Sequence, residues 1–290
     1  MTAIREQRVL VLGATGMLGN TVFRSLSESR NLRVFGSVRS DQLLRFLPER
    51  LHDNVISAVD VQSADSLLRL FNAARPDIVI NCIGLIKQLE EAKDTLLAVP
   101  INTMLPHQLA RLCATMSARL IHISTDCVFD GKKGGYVESD PADAQDLYGR
   151  SKHLGEVDYP NAVTLRTSII GPELGTSIGL LGWFLSSEGE IHGHSNAIFS
   201  GLPTIELSEV IRDRVIPNPQ LRGVYHVAAE AISKYDLLNL VSRIYGKSIR
   251  IVPDRSPVIN RSLNADRFFA ATGYRAPDWP SMIEKMRSFG

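Results

Sequence analysis

The run Val9, Leu10, Val11, Leu12, followed by Gly13, Gly16 and Gly19, constrains this chain more than any other feature. Four apolar residues without polar alternation describe a strand buried on both faces, as in a helix-covered parallel sheet. Glycines just beyond such a strand permit a tight turn, let the backbone approach a pyrophosphate and let the next helix pack closely. Amides at that helix's N-terminus would then face the phosphates. A purely structural turn is the competing explanation in a chain with 21 glycines. The triplet's place at the first strand-to-helix junction favours phosphate binding.

Strand and helix patterns alternate from there on. Strands are expected over 32–39, 54–61, 77–84, 118–126 and 162–170, and helices over 17–29, 40–48, 63–74, 92–116 and from Leu147. Repeated β-then-α predicts an α/β fold: a Rossmann-type doubly wound parallel sheet with right-handed crossovers and helices on both faces. After Pro172 the pattern loosens into a glycine-rich stretch, 187–203, which suggests a smaller α/β C-terminal substrate lobe. The expected division is a dinucleotide-binding domain over 1–170, to which 205–229 returns, and a substrate-binding lobe from 171–204 and 230–290.

Charge narrows the partners. With 32 basic against 31 acidic residues, the chain offers no footprint for nucleic acid or an anionic membrane, so a small molecule is the expected partner. The N-terminus has no apolar signal core and no run is long enough to span a bilayer, which predicts a cytoplasmic protein. Cys82, Cys113 and Cys127 make no CxxC pair, suit a reducing compartment and read as small core residues. His192 and His194 form HGH, but with no third ligand in view they read as a loop, and no metal is assigned.

The second strand selects between dinucleotides. It ends in Ser37, Arg39 and Ser40 with no carboxylate to bond the ribose hydroxyls of NAD, so NADP(H) is favoured over NAD(H). A solvated Arg39 is the alternative. Asp60 and Val61 stand where the adenine would lie, and Asn81, Cys82, Ile83 and Gly84 end the next strand along the cofactor's path. Asp60 and Asn81 could equally cap the helices that follow.

The sharpest chemical signal is HISTDCVFDG followed by DLYGRSKHLGE. Tyr148 and Lys152 are four residues apart and share one face of a helix, where an ammonium would lower the phenol's pKa from about 10. Tyr148 could then donate or accept a proton, with Ser124 and Thr125 supplying hydroxyls from a strand end. A lone YxxxK is usually an ordinary helix surface. Its coincidence with the hydroxyl pair and the glycine turn is not ordinary.

These motifs, with Asn102, LRTSIIGP and RSLNADRFFAATGY, make nearly the whole chain resemble the extended short-chain dehydrogenase/reductases, and within them the dTDP-4-dehydrorhamnose reductase-like nucleotide-sugar reductases. That resemblance implies that Thr125 polarises a substrate carbonyl, Tyr148 protonates its oxygen, and Lys152 holds the nicotinamide ribose and tunes Tyr148. It implies cofactor contacts from Gly13, Thr15, Gly16, Met17, Leu18, Gly19, Arg39, Asp60, Val61, Cys82, Ile83, Gly84, Asn102 and Ser124, besides Tyr148 and Lys152. Substrate contacts are implied for Lys87, Asp126, Cys127, Val128, Asn196, Arg255 and Arg261. The two arginines could clamp a diphosphate or simply be solvated, and Trp279 reads as a packing anchor.

The implied activity is NADPH-dependent reduction at C4 of a nucleotide-linked 4-keto-6-deoxysugar, serving deoxysugar or surface-polysaccharide synthesis. One alternative is a noncatalytic NADP-binding regulatory subunit, as in an animal relative. Another is an epimerase or dehydratase, against which the missing acid at strand two and Cys127 in place of a glutamate both argue. Many members of the reductase branch carry tyrosine at the Cys127 position. A homodimer through two sheet-flanking helices is open, although the helix over 92–116 can be satisfied by the monomer's own core.

Overall fold

Strand Gln7–Leu12 lies inside a seven-stranded sheet, and its side chains explain why. Val9 and Val11 enter one apolar layer, Leu10 and Leu12 the other, and none of the four is exposed. The computed structural model describes residues 6–87 and 90–290, so the reading of the first five residues as lacking a signal core lies outside it. Every pairing in the sheet is parallel. In spatial order its strands are Gly223–His226, Ala162–Thr167, Arg119–Thr125, Ile78–Asn81, Gln7–Leu12, Leu32–Ser37 and Val55–Ile56. The chain runs outward from Gln7–Leu12 on one side, then returns to Ile78–Asn81 and runs outward on the other. Such a reversal opens a crevice beyond the carboxyl ends of the two central strands.

Helices cover both faces. Ala64–Ala74 and Leu105–Thr115 bring Leu67, Leu70, Phe71, Leu109 and Cys113 to one face. Met17–Leu26 and Thr204–Val210 bring Val22, Phe23, Leu26, Ile205 and Leu207 to the other. Each such fully buried side chain contributes roughly 1.5–3 kcal/mol. The last two helices are joined by a buried hydrogen bond from Thr21 Oγ1 to Thr204 Oγ1 at 3.0 Å. Strand Gly223–His226 then extends the sheet beside Ala162–Thr167.

Smaller sheets lie beyond Thr167. Ile169–Ile170 pairs with Leu202–Pro203, Glu190–His194 with Arg250–Asp254, and Ala197–Phe199 lies between Ile232–Ser233 and Ile259–Asn260. The HGH segment is therefore strand, with backbone bonds on one side, rather than loop. Trp279 is buried, and its Nε1 donates to the Glu230 carbonyl at 2.8 Å.

Three local expectations need correction. The single helix over 92–116 is a 3-10 turn at Glu90–Lys93, a helical turn at Thr95–Ala98, a π-helical stretch at Val99–Met104 and the helix Leu105–Thr115. Pro100 and Pro106 lack the amides a continuous α-ladder would need, so the winding widens between them. The strand over 54–61 shrinks to Val55–Ile56, because the chain turns at Ala58 with a φ of 55°. Two 3-10 turns, Asp41–Phe46 and Glu49–Asn54, replace the helix over 40–48, with Pro48 between them.

Gly19 sits in the first helix where a Cβ would overlap the Gly13 carbonyl oxygen. Gly19→Ala is expected to push that helix off the turn and lower the unfolding free energy by about 1–3 kcal/mol in a urea titration. An unchanged midpoint would mean that the turn yields without cost.

Candidate functional site

The crevice at the reversal is lined by Gly13, Thr15, Arg39, Asp60, Val61 and Ile83, among others, and has a volume of about 590 Å³. Gly13 has a φ of +78°, a left-handed conformation that favours glycine, and a Cβ there would stand 2.9 Å from Ile83 Cγ1. Gly16 donates to the Gly13 carbonyl at 3.0 Å and caps helix Met17–Leu26 with no side-chain bond, leaving first-turn amides for a ligand. A backbone cradle that side chains would fill, ahead of uncapped helix amides, fits a dinucleotide pyrophosphate. Arg39 is exposed at the rim, and among the described residues its guanidinium has no ion-pair partner.

The other glycine-turn and rim residues divide. Leu18 points into the core, so only its amide faces the crevice, and the Met17 side chain lies against Gly179. Asp60 lines the crevice while its Oδ1 accepts the Gln62 amide at 2.9 Å, so it also holds the turn. Cys82 donates its amide to the Leu12 carbonyl at 3.3 Å, and its side chain packs on the core, leaving Ile83 at the opening. A Cβ on Gly84 would stand 3.7 Å from Lys152 Nζ. Asn102 departs from its expected cofactor contact. Buried in the π-helical stretch, its carboxamide accepts from the Leu85 amide at 2.9 Å and donates to Ser151 Oγ at 3.2 Å, so it fastens the crevice wall to the next helix.

Thr125, Tyr148 and Lys152 come together at the carboxyl end of strand Arg119–Thr125. Helix Leu147–Leu154 carries the last two and is capped by Asp146, whose Oδ1 accepts the Gly149 amide at 2.8 Å. Gly149 has no room for a side chain, because a Cβ would overlap the Cys127 carbonyl oxygen. Lys152 is 5% exposed, and Nζ donates to the Ile123 carbonyl at 2.8 Å. Burial lowers its pKa to about 8, while Glu156 and Cys82 oppose the shift.

Tyr148 shifts opposite to the sequence-based expectation. Burial pushes the phenol above its ordinary value, Cys127, Asp126 and Asp146 add to the rise, and only a hydrogen bond with Thr125 opposes it. Lys152 is turned toward the strand carbonyl instead of being spent on a tyrosinate. The phenol therefore keeps its proton at neutral pH.

Ser124 and Val128 also need correction. Ser124 Oγ donates to Glu156 Oε1 at 2.7 Å, and that carboxylate is clamped by Arg166 through two bonds of 2.6 Å, so Ser124 belongs to a buried network behind the site. Val128 is fully buried with Phe129, Tyr136, Ala228 and Leu263, so its side chain cannot reach a substrate. Asp126 and Cys127 do stand beside Thr125. Thr125 Oγ1 donates to Asp126 Oδ1 and accepts the Cys127 amide, both at 3.1 Å. Burial raises the Asp126 carboxyl above the usual range against the pull of Arg261 and Lys234, and it raises the Cys127 thiol to about 12. Cys127 thus stands beside Thr125 at the candidate site, whereas Cys113 is core.

Arg261 reaches the site's edge, bonded to the Phe129 and Asp130 carbonyls at 2.7 and 3.3 Å. Lys87 pairs with Asp146 at 2.6 Å. Asn196 donates to the Arg255 carbonyl at 2.9 Å; both residues are exposed, and no hydrogen bond joins either to Thr125, Tyr148 or Lys152 among the described residues. Sequence reading missed Glu156, Arg166 and Lys234. Lone charges scattered through the chain carry no spacing signal, and only the fold brings them near the site. Asp146 was legible in principle, as an acidic cap just before the YxxxK helix.

The family model described as the RmlD substrate binding domain matches residues 7–263. The Probable low-salt glycan biosynthesis reductase Agl14 of Haloferax volcanii is 33% identical over 179 residues, 60% of this chain. A dTDP-4-dehydrorhamnose reductase of Mycobacterium tuberculosis is 31% identical over 174 residues, 57% of this chain. These matches span 57% and 50% of the two relatives' own lengths. The crystal structure of dTDP-4-dehydrorhamnose reductase from Bacillus anthracis in complex with NADP superposes with a TM-score of 0.79 at 20% identity, covering 98% of this chain and 100% of that one. At that identity the likeness is one of fold. With a match over 7–263 of its 290 residues, the chain belongs to the RmlD substrate binding domain family.

Proposed function

We propose that this protein uses NADPH to reduce the C4 keto group of a nucleotide-linked 4-keto-6-deoxysugar, in the synthesis of a deoxysugar-containing glycan. The observation that carries the reading is the convergence of Thr125, Tyr148 and a buried Lys152 at the end of strand Arg119–Thr125, with Lys152 Nζ on the Ile123 carbonyl and close to Gly84 beside the glycine crevice. When bound there, the nicotinamide cofactor supplies the hydride that reaches the carbonyl carbon. Thr125, its hydroxyl turned from Asp126 Oδ1 to the substrate, donates a hydrogen bond to the oxygen on which negative charge develops. Tyr148 gives that oxygen its proton, and the nearby ammonium of Lys152 offsets the charge left on the phenol. Lys152 also holds the nicotinamide ribose.

Gly13, Thr15, Gly16 and the amides of Met17, Leu18 and Gly19 hold the pyrophosphate, Asp60, Val61 and Ile83 flank the adenosine, and Arg39 takes the 2′-phosphate. Asp126, Cys127 and Lys87 meet the sugar end of the substrate, and Arg261 its diphosphate. Asn196 and Arg255 stay candidates for the nucleotide's far end. The segments 171–204 and 230–290 serve as the substrate lobe on a cofactor-binding sheet. Among the described residues no helix is long and apolar enough to cross a membrane, and the cysteines are free, which suits work in a reducing cytoplasm.

The direct test is NADPH oxidation against UDP-, dTDP- and GDP-4-keto-6-deoxysugars, with mass spectrometry of the products. Turnover of one of them supports the reading, and tight NADPH binding with no turnover across the panel counts against it. Tyr148→Phe is expected to lower kcat by about two to four orders of magnitude while leaving the NADPH Kd nearly unchanged. Arg39→Ala should weaken NADPH about tenfold more than NADH, as loss of a charge-assisted bond to phosphate requires; equal losses would remove it from cofactor selection.

The pH dependence follows from Lys152. Its proton is present below about 8 and lost above, whereas the Tyr148 phenol stays protonated through that range. A kcat/KM profile should therefore fall about tenfold per pH unit above that value. In Lys152→Met the activity should be lower throughout and the alkaline limb absent.

A further inference from the structure

His122 is a fully buried imidazole on strand Arg119–Thr125, and the proposed chemistry gives it no task. Its register partner on the neighbouring strand is Asn81, also fully buried. The Asn81 carboxamide has a fixed orientation, because its Oδ1 accepts the Ile83 amide at 3.1 Å. Nδ2 is thereby turned to His122 Nδ1, 3.2 Å away, and must donate to it. Nδ1 is then an acceptor, and the ring's proton sits on Nε2, which has no hydrogen-bond partner among the described residues. Burial and the neighbouring charge of Lys152 keep the ring neutral, as this bond requires.

Ile83, at the far end of this chain of bonds, walls the glycine crevice. Gly13 faces Ile83 Cγ1 so closely that an added Cβ would lie 2.9 Å from it. Any drift of the Ile83 backbone would change the crevice width where the glycine turn meets the opposite strand. The Asn81 amide that prevents this drift can rotate about its side chain unless both of its ends are held. Its oxygen is held by Ile83 and its nitrogen by His122.

We infer that His122 is a positioning residue for the cofactor crevice: as an Nδ1 acceptor it locks the Asn81 carboxamide, which in turn pins the Ile83 backbone. The inference rests on the reading of this crevice as a dinucleotide site only for its effect on affinity; the pinning itself is independent of any ligand. A residue at position 122 that offers an oxygen near the Nδ1 position preserves the lock, and an apolar one of similar size abolishes it.

The test compares His122→Asn with His122→Leu. Amide hydrogen exchange by mass spectrometry on the protein without cofactor should show faster exchange in the peptide containing Ile83 for His122→Leu, with His122→Asn close to the parent. NADPH titration by fluorescence should give a Kd raised about tenfold for His122→Leu and restored in His122→Asn, with kcat at saturating NADPH little changed. Equal exchange at Ile83 in the two variants overturns the inference. A parent protein that fails to bind NADPH, yet shows the exchange difference, sinks the dinucleotide reading and leaves the lock standing. If His122→Leu does not fold, nitrogen-15 NMR of the parent's histidines at pH 7 decides. An Nε2–H tautomer for His122 supports the lock, and an Nδ1–H tautomer refutes it.

Discussion

An ammonium buried under the end of a β-sheet is the constraint on which this molecule's arrangement depends. Lys152 is almost out of contact with water, and such a charge is costly unless carbonyls and counter-charges replace the solvent. The Ile123 carbonyl supplies the contact and Glu156 the field. Glu156 is itself buried, so it needs Arg166, and Arg166 in turn meets His226 Nε2 at 3.2 Å on the edge strand. The polar network thus runs across three neighbouring strands, Arg119–Thr125, Ala162–Thr167 and Gly223–His226. Truncating Arg166 or Glu156 would strand the other's charge, and the Arg166–His226 contact ties the late strand Gly223–His226 to the strand end beside Tyr148.

The parts of the fold that were legible in the sequence are those written in local pattern. The unbroken apolar strands Val9–Leu12 and Ile78–Ile80, the glycine turn and the Tyr148–Lys152 spacing each state their own environment within a few residues. The π-helical stretch around Asn102 was not legible as such, since apolar periodicity continues through it and only Pro100 and Pro106 hint at a break. The course of the Ser124 hydroxyl was illegible for a different reason: its partner Glu156 lies 32 residues on, and nothing local favours that carboxylate over Asp126. The expected depression of the Tyr148 pKa failed because helical spacing reports which residues share a face but not what the ammonium bonds to once the helix docks.

The same distinction separates the two halves of the candidate site. Around the glycine turn, backbone atoms do most of the work, and backbone geometry follows from glycine positions that the sequence displays openly. At the Thr125 end of the candidate site, Arg261, Lys234 and Asp126 converge from segments far apart in the chain, and their meeting depends on how the small sheets around Ala197–Phe199 seat themselves. Val128 shows the hazard of reading such a region by motif alone. It stands next to site residues in sequence, yet its side chain turns inward to stack the small cluster formed with Phe129 and Tyr136.

The docking of Gly149 against the Cys127 carbonyl separates two things usually entangled in an enzyme. The helix that carries Tyr148 leans on the main chain at position 127, where the Cys127 carbonyl meets Gly149. The Cys127 thiol is thus not what seats the helix, although its nearness adds to the rise in the Tyr148 pKa. A replacement at position 127 would therefore act on the phenol's titration while the carbonyl that seats the helix stays in place.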